Sequence, residues 1–259
     1  MKDAWEAGDA LSEIVAGRYP GYVKRFMAAA GAGLHRHSLV RDGDDVLVGL
    51  SGGKDSVALL LFLELRRRRV KDAYTLRAVR VEWDGWPSDP AELDALAAFC
   101  GYLGVPFSVE TGPIPAAIAE RGLSCYLCSR ERRKALLESA ERLGCGVVAL
   151  GHHLDDFAET ALMNLCKHGR IDQMRPSATF FGTFRLVRPL CMVRESALKT
   201  LADRLGLPVV RNTCPLEATA QRGRYKAVLA ELAKIDTLVR ENIIKATTPS
   251  EEEPWISIT

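Results

Sequence analysis

The chain has 259 residues, 47% of them hydrophobic and 26% charged. That is ordinary globular composition, with enough chain for one large α/β domain with additions or for two small domains. The longest strongly apolar run, Val57 to Leu63, is far below a membrane span, and Met1-Lys2-Asp3-Ala4-Trp5-Glu6 holds no apolar signal region; no membrane partner is expected, and the expected location is cytoplasmic.

Net charge is only +2, so bulk charge does not demand a nucleic acid. Basic residues are nevertheless clumped, at Arg66–Arg69, at Arg130, Arg132, Arg133 and Lys134, and at Arg222, Arg224 and Lys226. Seven cysteines are an odd count in a chain with no secretion signal, which argues against a disulfide framework.

In chain order, residues 1–40 read as helical, with Tyr22, Val23, Phe26 and Met27 forming an apolar face. Asp42-Gly43-Asp44-Asp45 is a turn that launches a strand over 46–50, and a helix follows from about 55 to 69. Residues 74–83 alternate as a second strand, 91–103 form a helix and 105–110 a third strand. A helix over 126–143 precedes a strand over 146–151 and a helix over 154–167. A strand at 186–190, a helix at 194–205, an extended piece at 207–211 and a last helix over 224–245 complete the pattern, before a polar tail from Thr247 expected to be disordered. Strands alternating with helices predict an α/β fold, a doubly wound and mostly parallel sheet with helical additions at both ends. Ligands of such sheets bind at the carboxyl ends of the strands, where Ser51, Trp83-Asp84 and Gly151-His152 should converge.

Ser51-Gly52-Gly53-Lys54-Asp55-Ser56 closes the first strand and opens a helix. Two glycines allow positive φ and close approach of backbone N–H groups, and the helix start adds unpaired donors and a positive dipole end: an anion site, most naturally for phosphate. It is not a Walker A loop, which would need Gly at Val48 and Ser or Thr at Asp55. Gly151-His152-His153-Leu154-Asp155-Asp156 closes another strand; Asp155 alone reads as a helix cap, whereas beside a phosphate loop Asp55, Asp155 and Asp156 become candidates to act through Mg²⁺. Lys54 can lie along the phosphates as a point charge.

Cys125-Tyr126-Leu127-Cys128 is open to two readings, a redox pair or half of a metal centre. Cys214, in Arg211-Asn212-Thr213-Cys214-Pro215, sits in a similarly polar, turn-like setting. A closed zinc site lacks a convincing fourth ligand; three thiolates with one open position suit an iron–sulfur cluster better. Cys100, Cys145, Cys166 and Cys191 lie in apolar sequence and read as buried and structural.

Ser51–Ser56, Cys125-x-x-Cys128-Ser-Arg-x-Arg-Arg, Ala149-Leu-Gly-His-His-x-Asp-Asp156, Val187-Arg-Pro-Leu190 with Arg194-Glu195, and Cys214 together resemble the tRNA 2-thiocytidine synthetases, which are pyrophosphate-loop (PP-loop) ATP pyrophosphatases. The resemblance runs from about Val40 to Leu232 and implies a PP-loop α/β domain over 41–215, flanked by helical segments at 1–40 and 216–246 and a tail at 247–259. It implies ATP cleavage to AMP and pyrophosphate, with ATP and Mg²⁺ held by Ser51, Gly52, Gly53, Lys54, Asp55, Ser56, Gly151 and His152. It further implies a 4Fe–4S cluster on Cys125, Cys128 and Cys214, tRNA as partner, a sulfur donor and a homodimer. Three features depart from the family pattern: a single cysteine at 214, which still meets the ligand count, and a short, Trp-rich loop after Trp83 and a short tail, which leave open a PP-loop enzyme with another acceptor. A cysteine-free ligase, a zinc-bearing thiouridine enzyme and a non-enzymatic nucleotide sensor are the other readings.

Overall fold

A computed structural model describes residues 5–70, 73–170, 172–211, 213–214 and 221–247. Six strands form one sheet: β1 (Asp45–Gly49), β2 (Thr75–Trp83), β3 (Phe107–Gly112), β4 (Val147–Ala149), β5 (Ser177–Phe180) and β6 (Phe184–Val187), in the order β3-β2-β1-β4-β6-β5. All neighbours are parallel except the β5–β6 hairpin, so the predicted mostly parallel α/β sheet is what the chain forms. β1 is central, and its Val46-Leu47-Val48 run is fully buried because helices cover both faces of a parallel sheet.

The helices are α1 (Asp9–Val15), α2 (Gly21–Arg36), α3 (Lys54–Arg67), α4 (Pro90–Leu103), α5 (Ala116–Arg121), α6 (Cys125–Arg142), α7 (Leu154–His168), α8 (Glu195–Leu205), α9 (Gln221–Ile235) and α10 (Val239–Thr247). α3 is apolar nearly all round, and every residue from Ser56 to Leu65 is buried between the sheet and its neighbours. Glu64 is carried inside with it and is matched by Arg67 and Arg68 at 2.7 Å. Arg69 lies over the Tyr19 ring at 3.9 Å. Three arginines of the Arg66–Arg69 clump are thereby tied into the fold.

Several predicted elements take a different shape. The helix expected over 1–40 is two helices, broken at Gly17 (φ +90°) and Pro20. The helix expected over 224–245 is also two, interrupted where Asp236 accepts from the Leu238 amide. α5 and β5 were not expected; the β5–β6 turn hides in Phe181, which takes φ +53° beside Gly182. Residues 207–211, expected to be extended, join no strand. One apolar core runs from Leu11 to Ile244, with both helical ends packed into it. The expected tail beyond Thr247 lies outside the described residues. Among the described residues no helix is long and apolar enough to cross a membrane.

Candidate active site

The phosphate-type loop sits where β1 hands over to α3, at the carboxyl edge of the sheet. Leu50 donates its amide to Val79 O at 2.8 Å, which ends the strand. Gly52 then takes φ +80°, and its carbonyl accepts from the Val210 amide at 2.9 Å. A Cβ there would fall 2.7 Å from Val210 Cβ, so both conformation and space require glycine. Ser56 Oγ donates to Gly53 O at 2.9 Å and lies 3.1 Å from Ser51 Oγ, closing the loop on itself. Ser56 and Val57 already donate their amides to Gly53 O, which leaves the Lys54 and Asp55 amides as donors at the positive end of the helix.

A buried polar network holds the loop from behind. Arg80 donates through Nη1 to the Ser51 carbonyl, through Nε to Glu82 at 2.8 Å and through Nη2 to Ser88 at 2.6 Å. Ser88 in turn donates to Glu82, and all three side chains are buried. The sequence signal was present: Arg80 and Glu82 are two apart on one strand, and so share one face.

Lys54 Nζ lies 3.1 Å from Asp55 Oδ1 and 3.0 Å from Glu195 Oε1, the first residue of α8. Lys226, from α9, reaches the same Glu195 oxygen at 2.6 Å. Burial would raise the Glu195 carboxyl, but hydrogen bonds from Lys226 and Lys54 hold it down to about 2. Burial raises Asp55, opposed by His153 and Lys54. Asp55 Oδ1 is buried and accepts no hydrogen bond.

The Gly151–Asp156 segment abuts the loop. A Cβ on Gly151 would lie 2.9 Å from both Asp55 C and Ser56 N. His153 is buried, with Nε2 3.8 Å from Asp55 Oδ2 and 3.5 Å from Asp156 Oδ2. Asp156 accepts from the His153 amide at 2.9 Å, capping its own helix, and pairs with Arg222 at 3.5 Å. Asp155 accepts from the Glu195 amide at 2.7 Å and lies 2.5 Å from Arg240 Nε, tying α7 to α8 and α10. Asp55 is paired with the mobile end of Lys54, whereas Asp155 and Asp156 are tied to backbone amides and arginines of the fold. His152 Nδ1 accepts from Arg188 Nε at 3.3 Å.

Cys125 and Cys128 occupy the first turn of α6, which starts at the same carboxyl edge because it follows β3 and leads into β4. Ser124 caps it by accepting from the Leu127 amide at 3.2 Å. Cys125 is exposed and Cys128 buried beside Leu127, Ile118 and Trp86. Cys214 is half-buried, and its neighbour Thr213 donates to Trp86 O at 3.1 Å. Val210 therefore contacts Gly52 on the loop, Arg211 donates its amide to Glu92 at 2.8 Å, and Thr213 reaches the tryptophan packed against the Ile118, Leu127 and Cys128 cluster. Three thiols are the donor chemistry of iron–sulfur ligation. The fit is one of donor type: among the described residues no group of three or more His, Cys, Asp or Glu side chains is drawn close enough to hold a metal ion. None of the seven cysteines is in a disulfide. Cys100, Cys145 and Cys191 are buried as expected; Cys166 is exposed on α7, against expectation.

Strand, glycine turn and buried helix, with a second Gly-His-His-x-Asp-Asp edge beside them, define a PP-loop nucleotide site, and the PP-loop domain family matches residues 32–222. Within it the chain belongs to the tRNA-cytidine(32) 2-sulfurtransferase family. It is 37% identical over 230 residues to the Geobacter sulfurreducens tRNA-cytidine(32) 2-sulfurtransferase, covering 86% of this chain and 88% of that protein. It is 36% identical over 232 residues to the Pelobacter propionicus protein of the same name, covering 86% and 84%. The fold is also that of the U34-tRNA thiolase NcsA from Methanococcus maripaludis, solved with its [4Fe-4S] cluster, at TM-score 0.73 and 22% identity over 87% of this chain and 77% of that one.

Proposed function

We propose that the chain is a tRNA sulfurtransferase that adenylates a cytidine of the anticodon loop with ATP and replaces its 2-oxygen by sulfur, releasing AMP and pyrophosphate. The observation that carries this reading is a pair of contacts from neighbouring residues, Val210 to Gly52 on the phosphate loop and Thr213 to Trp86, which packs against the cluster that holds Cys128. One site then serves both activation and sulfur delivery.

ATP lies on the amides of Gly52, Gly53 and Lys54, with Ser51, Ser56, Gly151 and His152 lining the edge. Lys54 turns from Glu195 to the phosphates and stabilises charge as pyrophosphate leaves. Asp55, through the buried oxygen that Lys54 then leaves, would hold Mg²⁺. Asp155 and Asp156 act at one remove by fixing Glu195 and the His153 turn. Cys125, Cys128 and Cys214 would hold a 4Fe–4S cluster, whose one open iron would carry the incoming sulfur. The protein's own contribution is positioning two reactants at one edge. A loop base must leave its stack to reach the site, and Arg132 and Arg133 of α6 suit the phosphates beside it.

A sulfur donor must replenish the site, the working form is a homodimer, and the location is the cytoplasm, with its tRNA. The test is product analysis with purified, anaerobically prepared protein, ATP and tRNA. AMP, pyrophosphate and a thiolated cytidine in the nucleoside digest are expected; ADP with phosphate would overturn it.

A further inference from the structure

The sequence singled out His152 as one of several residues lining the nucleotide edge, and the geometry says more about how it is used. Arg188 follows β6, is buried, and is fixed at two points: Nη1 donates to Arg175 O at 2.5 Å and Nε donates to His152 Nδ1 at 3.3 Å. A guanidinium has donors and no acceptor, so Nδ1 of His152 must be the acceptor. A neutral imidazole then carries its one proton on Nε2. Among the described residues Nε2 makes no hydrogen bond within the protein, while His152 stays partly exposed. The neighbouring Gly151 rests on the backbone of Asp55 and Ser56, so His152 directly follows a residue packed on the phosphate loop.

We propose that Arg188 is a positioning residue that locks His152 as its Nε2–H tautomer, so that His152 serves as a fixed hydrogen-bond donor to an anionic phosphate oxygen of the bound or reacting nucleotide. The bond made by one ring nitrogen sets what the other can do, and this one leaves a donor in place of a general base. The surroundings agree. His152 is faced by Asp156 and His153 at the start of α7, by Arg188 beyond β6 and by Arg222 on α9. Burial, with Arg188 and Arg222 against it, outweighs Asp156 and lowers its pKa to about 4. Burial and the nearby Arg133 also lower Arg188, to about 10, which leaves it charged at neutral pH.

The proposal rests on the nucleotide reading for its ligand, but its first test does not. Nitrogen-15 labelling of the five histidines, with His152 assigned by its absence in H152Q, reports the tautomer directly by NMR. The expected result at pH 7 is a protonated Nε2 and an unprotonated Nδ1, with no protonation of the ring until the pH is well below 6. R188K, which keeps a donor, should retain that tautomer; R188M should give a mixture and a ring that titrates higher. A majority Nδ1–H form in the unmodified protein would overturn the proposal, as would an unchanged tautomer ratio in R188M.

The second test is ATP-dependent pyrophosphate release with tRNA. H152A should lose about 100-fold in kcat, the scale of one lost transition-state donor, whereas H152Q, whose amide can place N–H near Nε2, should stay within about tenfold of the unmodified protein. Equal loss in both variants would overturn the donor role. If the unmodified protein released no pyrophosphate at all, the proposed function would fail while the tautomer result stood.

Discussion

Gly151 rests directly on the amide of Ser56: a Cβ at residue 151 would lie 2.9 Å from that nitrogen and from the carbonyl carbon of Asp55. Those atoms are backbone at the start of a helix buried from Ser56 to Leu65, so they cannot step aside as a flexible side chain would. G151A should destabilise the protein by about 1–3 kcal/mol, the usual cost of overpacking. It should also raise KM for ATP, because the displaced amide belongs to the phosphate loop. Denaturant unfolding and ATP titration of the same preparation measure the two effects; unchanged KM would separate Gly151 from the nucleotide.

Arg80 holds the loop by the Ser51 carbonyl and is itself held by Glu82 and Ser88. R80M should cost about 3–5 kcal/mol, because Glu82 is left buried without its cation. R80M/E82Q should recover much of that stability by removing the stranded charge. It should not recover ATP affinity, since the Ser51 carbonyl stays unheld. Recovery of both would mean that Arg80 serves the fold alone.

The loop, the Gly-His-His-x-Asp-Asp edge and the thiol pair were legible in the sequence because each is a local pattern set at a strand–helix boundary. What stayed hidden depends on distance along the chain. Glu195 meets Lys54 only because α8 packs on α3, and Lys226 joins them only because α9 packs on α7. The same packing explains why Asp155 and Asp156 read alike in sequence and differ in place: one ties α7 to α8 and α10, the other caps its own helix. Cys166 misled because its neighbours Leu165 and Leu162 are apolar, yet α7 turns it outward; Leu165 is exposed as well.

The thiol assignment is separable residue by residue. C125S, C128S and C214A, each purified without oxygen, should each lose most of the iron and the visible iron–sulfur absorbance, since three thiolates are the minimum set. C166A and C100A should keep both. Full cluster content in C214A would remove Cys214 from the ligand set, and loss in C166A would add an unexpected member.

Two carboxyls should write opposite slopes into the pH dependence of stability. Glu195, held down to about 2 by Lys226 and Lys54 against burial, has a folded pKa below its ordinary 4.5. It contributes stability above pH 4.5 that is lost as the pH falls from 4.5 toward 2. Glu159, on α7 with Arg222 Nε at 3.1 Å, is raised to about 7 by burial first and Asp156 second. Its contribution is complete below pH 4.5 and is lost as the pH rises through 7, because the folded state must then carry a buried carboxylate. E195Q should therefore flatten the acid limb, costing about 1–2 kcal/mol at neutral pH and low salt after solvent screening by the half-exposed Lys226. E159Q should flatten the slope between pH 4.5 and 7 and leave the protein at least as stable as the unmodified chain at pH 8. Urea midpoints from pH 2 to 9 for the three proteins resolve both windows. A steeper loss for E159Q above pH 7 would mean that the Arg222 pair outweighs the burial of Glu159.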